Sequence, residues 1–319
     1  MAFSAQLVLR ANEIYHDVEE AEYAGKHPEI FERESARWRR IGQQFIAPHP
    51  IPLCALDVGC GTGFVATQIG PFLKAGDLII CSDLSARMLD VCRRSIEQQN
   101  LACECRYMKL DGHRIPLEKA SCDFVTMNSV LHHVPDVRGF LGEIGRVLKV
   151  DGRVVIAHEP NRHFYQHPFL WHNSRMMAIL LSPRRAAGSL LRRLHLIDLV
   201  RRLLRPVSSP IAAYGQTVSE VNRRLMTEGL ISMPLTVDEM TGIVDVHSPT
   251  AGGIHRERGI DIQEILPGFE LELLETYNHL GDAVMSSNRF ARRYDEYLRT
   301  RFPTAGATLL AVLRKKPGV

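Results

Sequence analysis

The sequence predicts an α/β protein built around one mostly parallel sheet, and three observations carry that reading. From Ile51 to Glu159 short apolar runs alternate with amphipathic helical stretches, as in a sheet whose two faces are both covered. The first of those runs passes directly into "GCGTG", residues 59–63, where three glycines mark a tight turn that keeps side chains away from something. Two more strand-like runs, "FELELLETY" and "ATLLAVLRKK", return near the C-terminus and bring the strand count to seven.

Taken in order, residues 1–45 read as helical, acid-rich at first and basic at Arg37, Arg39 and Arg40; they form an N-terminal helical lid. "LCALDV" is a strand, "TGFVATQIGPFL" a helix and "DLIICSD" the second strand. In "SARMLDVCRRSIEQQN", Met88, Val91, Cys92 and Ile96 recur at helical spacing behind a Ser85 cap. "CECRYMKLD", "CDFVTMNS" and "RVVIAHE" supply three further strands, with a helix over Val137–Val150 closed by the Asp151-Gly152 turn. Residues 46–160 are thus the core. The βα rhythm stops after Pro160: residues 161–262 form a helical, aromatic, arginine-rich insertion after the fifth strand, broken at "SPTAGGIH". Residues 263–319 hold the last two strands, joined through the charged helix "SNRFARRYDEYLRT", and rejoin the same sheet.

Composition narrows the function classes. The 319 residues are 45% hydrophobic and 24% charged with a formal charge of +3, an ordinary globular balance without the basic excess of a nucleic-acid binder. The N-terminus has neither the basic start nor the apolar stretch of a signal peptide, and no run reaches transmembrane length. Seven cysteines, an odd number packed into strand-like runs, read as reduced buried thiols and point to a cytoplasmic protein.

A strand, a glycine-rich turn and a helix together make a crevice that backbone amides line. Two frames fit. Gly61, Gly63 and Ala66 satisfy a dinucleotide pattern, while Gly59, Gly61 and Gly63 satisfy G-x-G-x-G. Asp83 ends the second strand, where a carboxylate accepts ribose hydroxyls from NAD or from any adenosine ligand.

Three stretches in order, "LDVGCGTG", "KLDGHRIPLE" and "CDFVTMNSVLHHVPD", resemble the class I S-adenosylmethionine-dependent methyltransferases, in particular the group that holds the ubiquinone and menaquinone methyltransferases. The resemblance covers about Leu53 to Glu159. It implies a Rossmann-like, seven-stranded sheet whose final strand is antiparallel, and S-adenosyl-L-methionine as cofactor. It further implies that Asp57 serves the methionine amino group and that Gly59, Gly61 and Gly63 admit the methionine and ribose. Asp83, with Leu84 beside it, would take the ribose, Asp111 the adenine amino group with Gly112 and His113 beside the ring, and Asn128 would lie under the sulfonium. Tyr15 and Tyr23 in the leading helical segment would close over the cofactor. A cationic ligand also suits a crevice with three carboxylates, whereas a pyrophosphate would be repelled there.

Methyl transfer from a sulfonium gains most from alignment, and a base is needed only when the acceptor must lose a proton. The candidates follow the fourth and fifth strands: His133 first, then His158 and Glu159. "HEPNRHFYQHPFLWH" is histidine-rich, but His158-Glu159 and His163 miss metal-binding spacing and Pro160 and Pro168 interrupt the helix, so no metal is expected. Residues 161–210 carry nine arginines, no lysine and one acid. A solvated face, an anionic membrane surface contacted through 184–205 and an anion-binding pocket all remain open. Phe164, Tyr165, Phe169 and Trp171 are expected to wall a sizeable, largely apolar acceptor pocket, and "DVHSPTAGGIHRERG" with His247 and His255 to form its gate. The expected function is methyl transfer to a small, largely apolar, possibly anionic molecule, with no nucleic acid involved. The alternatives are an NAD(P)-dependent oxidoreductase, a membrane-docking lipid or quinone methyltransferase, and a non-catalytic scaffold; the oligomeric state stays open.

Overall fold

In a computed structural model of the chain, residues 3–19, 34–50, 52–110, 114–181, 210–281 and 288–318 are described, with only the main chain at 210–214. Seven strands form one sheet: β1 (Cys54–Val58), β2 (Leu78–Asp83), β3 (Glu104–Lys109), β4 (Cys122–Asn128), β5 (Leu148–Pro160), β6 (Phe269–Tyr277) and β7 (Thr308–Lys315). Their order is β3-β2-β1-β4-β5-β7-β6. The first five run parallel, with Asp57 opposite Cys81 and Thr126. Only β7 is antiparallel, with Val312 opposite Val155 on one side and Leu273 on the other. The order reverses between β1 and β4, so ligands of such a sheet sit beyond the carboxyl ends of those strands.

Both faces are covered. On one, α2 (Ser35–Ile41), α3 (Phe64–Ile69) and α4 (Ala86–Glu97) bury Trp38, Ile69, Leu89 and Cys92 against Ala55, Ile79 and Phe124. On the other, α5 (Val137–Val147) buries Phe140, Leu141 and Ile144 against Leu56, Val125 and Ile156. Ser85 caps α4 by accepting from the Met88 amide, as its sequence position predicts. The helix before β5 is shorter than expected. It stops at Val147 and the strand starts at Leu148, because Asp151 takes a left-handed φ of 62° inside the strand instead of closing the helix.

The N-terminal segment divides between two bodies. α1 (Ala5–Glu19) packs Leu7, Val8, Ala11 and Ile14 against α8 (Pro210–Thr227) and α9 (Val237–Val244), through Val221, Leu225, Met240 and Ile243. α2 instead belongs to the core. The lid and part of the insertion are therefore one cap with its own apolar cluster. Beyond the short α10 (Ile262–Ile265), a fourth cluster joins α6 (Arg162–Gln166) and α7 (Pro168–Leu181) to α11 (Arg289–Arg301) through Phe164, Leu170 and Leu298. Among the described residues no helix is long and apolar enough to cross a membrane.

Candidate active site

A cleft lies beyond the tips of β1, β2 and β4, roofed by Leu9, Asn12 and His16 of α1. Its floor is the glycine turn. Gly59, Gly61 and Gly63 have φ of 63°, 50° and 85°, the left-handed region that glycine adopts without cost. The surroundings of the three differ. A Cβ at Gly59 would come within 2.6 Å of Val130 Cγ2 and one at Gly63 within 3.0 Å of Cys92 Sγ, whereas one at Gly61 would meet nothing within 4 Å. The protein itself fills the space beside two of these glycines. The space beside Gly61 opens into the cleft.

One carboxylate stands at that opening, and a second is buried in β1 two residues before Gly59. Asp83 lines the cleft, accepting from the Gly61 amide at 2.8 Å and from the Ser85 amide at 2.9 Å. Burial pushes it up to about 6 against the opposing pull of those amides, and two of its acceptor positions remain for ligand hydroxyls. Asp57 is buried. Its Oδ1 accepts from Thr126 Oγ1 at 2.8 Å, while its buried Oδ2 has no partner. Desolvation raises it well above the usual carboxylate range. A buried acceptor without a donor is costly, and a cationic ammonium or a bridging water would satisfy it. Leu84 and Asn128 also line the cleft, and Asn128 accepts from Trp38 Nε1 at 2.9 Å. The donor set fits an adenosyl ligand with a cationic end. Tyr15 is buried in the cap cluster and is not among the cleft residues; its neighbour His16 is. Tyr23, Asp111, Gly112 and His113, and the arginine-rich stretch 184–205, lie outside the described residues.

The three candidate bases separate clearly. His133, on the turn after β4, lines the cleft. Its Nδ1 is 2.8 Å from the Val244 carbonyl and 3.1 Å from Asp245 Oδ1. Burial pulls this imidazole down, but the hydrogen bond and charge of Asp245 outweigh it and the net shift is upward. Asp245 in turn lies at about 2, where His133 and its neighbours outweigh burial. Glu159 is saturated. It accepts from the amides of Val130, Leu131 and His132 at 2.6, 2.7 and 3.2 Å and pairs with His132 Nδ1 at 2.8 Å. That geometry makes it the clamp of the turn that carries His133, with no acceptor position left for a substrate proton. His158 bulges from β5 with φ of 58° and points to Glu34, Nδ1 to Oε1 3.5 Å, away from the cleft lining.

Other expectations shift place. Phe164, Tyr165 and Trp171 pack in the cluster against α11, and Phe169 stands half exposed on α7; none lines the cleft. The 245–260 strap is tied to the core, because the His247 amide donates to the His132 carbonyl and the Ile260 amide to the Pro160 carbonyl. His132, His133 and Asp245 come within 4.8 Å of one another. However, both neighbours of His133 Nδ1 are acceptors, so that nitrogen carries hydrogen and offers no lone pair to a cation. Sequence reasoning missed Asn12, His16, Trp38 and Asp245. Helical periodicity marks such positions only as facing something, and Asp245 lies 112 positions further along the sequence than the His133 it reaches.

A methyltransferase-domain family matches residues 56–156. The demethylmenaquinone methyltransferase of Lactobacillus johnsonii is 41% identical over 106 residues, which is 32% of this chain and 42% of that protein. The ubiquinone biosynthesis O-methyltransferase of Methylocella silvestris is 32% identical over 112 residues, 35% of this chain and 42% of that one. A SAM-dependent methyltransferase structure from Aquifex aeolicus aligns with 20% identity and a TM-score of 0.36, over 42% of this chain and 71% of that one. The chain spans about half or less of the length of the curated relatives named here. The likeness to a methyltransferase domain thus covers residues 56–156, about a third of this chain.

Proposed function

We propose that this chain transfers a methyl group from S-adenosylmethionine to a small, quinone-like ring acceptor. The observation that carries the reading is the side-chain-free opening beside Gly61, with Asp83 lining the same cleft and the unpartnered Oδ2 of Asp57 buried in β1 two residues before the glycine turn. Asp57 would hold the ammonium end, the main chain at Gly61 the middle and Asp83 the ribose hydroxyls. When bound, the cofactor supplies a methyl group already activated on a cationic sulfur. The protein's part is then alignment and exclusion of water, for which Val58, Leu84, Leu110, Val130 and Phe140 give apolar walls. His133 is the group placed to take a proton from the acceptor. The acceptor class is drawn from the relatives, whose names specify demethylmenaquinone and ubiquinone biosynthesis.

A nicotinamide dinucleotide fits less well, since its pyrophosphate would meet Asp83 and Asp57 where it needs unopposed amides. Calorimetric titration with S-adenosylhomocysteine and, separately, with NAD tests the assignment. One-to-one binding of the first with none of the second is expected, and the reverse would overturn it.

A further inference from the structure

We propose that Asp245, supplied by the cap, is the positioning residue that makes His133 a competent base, so that the base is completed where cap and core meet. The inference rests on the methyl-transfer reading above and adds how proton removal is arranged. His133 Nδ1 faces two acceptors, the Val244 carbonyl at 2.8 Å and Asp245 Oδ1 at 3.1 Å. Neither can donate, so the hydrogen of a neutral His133 ring resides on Nδ1 and the lone pair on Nε2. His133 is itself a wall of the cleft. The nitrogen that is not tied to the cap is therefore the one left for a substrate proton.

The arrangement is held from two sides. On the core side, Glu159 clamps the turn through three amides and the His132 ring. On the cap side, Val244 and Asp245 end α9, whose start is fixed by a capping box of Thr236 and Glu239. His16 of α1 meets the His133 ring edge-on at 5.2 Å between centroids. The titratable groups around His133 are thus His16, His132, Asp245 and Glu159, and among them Asp245 alone is recorded paired with its Nδ1, at 3.1 Å. In the step this serves, an acceptor O–H bond breaks, the proton moves to His133 Nε2, and the bonding pair stays on the acceptor. The imidazolium so formed keeps its Nδ1–H on the Val244 carbonyl, with the Asp245 carboxylate 3.1 Å from the same nitrogen to balance its charge. An acceptor with an ionisable hydroxyl, such as a hydroquinone or phenol, is the class that uses such a base.

Histidine ring NMR on the cofactor-free protein tests this without turnover, using His133→Gln to assign the signal. The wild type is expected to show the Nδ1–H tautomer and a titration midpoint above the ordinary 6.5. Asp245→Asn should lower that midpoint by about 1 to 2 pH units, and Asp245→Glu should restore most of it. Calorimetric affinity for S-adenosylhomocysteine should stay at the wild-type value in both variants. With 1,4-naphthalenediol as acceptor, Asp245→Asn should cut kcat roughly ten- to a hundredfold and move the acid limb of its pH profile down with the midpoint. An Nε2–H tautomer in the wild type, or a midpoint that Asp245→Asn leaves in place, overturns the proposal. Failure of the wild type to bind S-adenosylhomocysteine would instead overturn the cofactor reading.

Discussion

The two walls of the cleft are built by different physics. The core wall is made of strand tips and the turns that follow them, and its carboxylates are bonded to main chain: Asp83 to the Gly61 and Ser85 amides, Glu159 to three successive amides. The cap wall is a separate apolar cluster of α1, α8 and α9. It meets the core around the cleft largely through side-chain pairs, Glu13 with Lys109, Asp17 with Ser85, and Asp245 with His133. Main-chain bonds at strand ends persist as long as the sheet does, whereas partly exposed ion pairs weaken with salt and pH. Under the proposed methyl transfer, the cofactor would rest on the preformed wall and the acceptor's proton would leave at the joint between the two.

Substitutions can break that division at chosen points. The largest effect is expected from His133→Ala, which should cost about 100- to 10,000-fold in turnover while calorimetric affinity for S-adenosylhomocysteine stays unchanged; a parallel loss of both would merge the two walls into one site. Asp83→Ala should weaken cofactor binding by about 1–3 kcal/mol, read by the same titration, because it removes the acceptor for the ribose and releases the Gly61 amide.

The glycine pair sharpens the picture of the core wall. Gly59→Ala drives a Cβ to within 2.6 Å of Val130 and should lower unfolding free energy by about 2–4 kcal/mol, from left-handed strain and overpacking together. Gly61→Ala meets no protein atom within 4 Å. It should lose only the strain of about 1–2 kcal/mol in a denaturant melt and show a disproportionate loss of cofactor affinity.

The most gradual effect concerns Asp57. Its carboxyl is raised in the folded protein, so the native state holds a proton that the unfolded chain releases once pH passes about 4. Stability should therefore fall as pH rises from there toward the folded-state value, by up to about 1.4 kcal/mol per pH unit. Asp57→Asn should flatten that slope in thermal melts and weaken binding of the ammonium end. An unchanged slope would mean that Asp57 is paired.

Much of the core wall was legible in the sequence because its contacts are local. Gly61, in the turn after β1, and Asp83, at the end of β2, lie 22 positions apart in one βαβ unit, and strand alternation with a Ser85 cap fixes both elements. The cap wall was not legible. Tyr15 and His16 are neighbours on one helix, and periodicity cannot say which of them meets the cap interior and which the cleft until α8 and α9 are in place. The aromatics after β5 misled for a related reason: a hydrophobic face signals burial, and Phe164 found its burial against α11. Glu159 looked like an acid–base candidate by its place at a strand end, yet the amides of residues 130–132 claim its oxygens.

The most direct test of the central claim is the structure of this protein crystallised with S-adenosylhomocysteine. The account predicts the ligand's ammonium at Asp57 Oδ2, directly or through one water, its ribose hydroxyls on Asp83, and its backbone-facing edge over Gly61. A ligand bound elsewhere, or a cleft in which Asp57 Oδ2 stays unpartnered beside it, would contradict it.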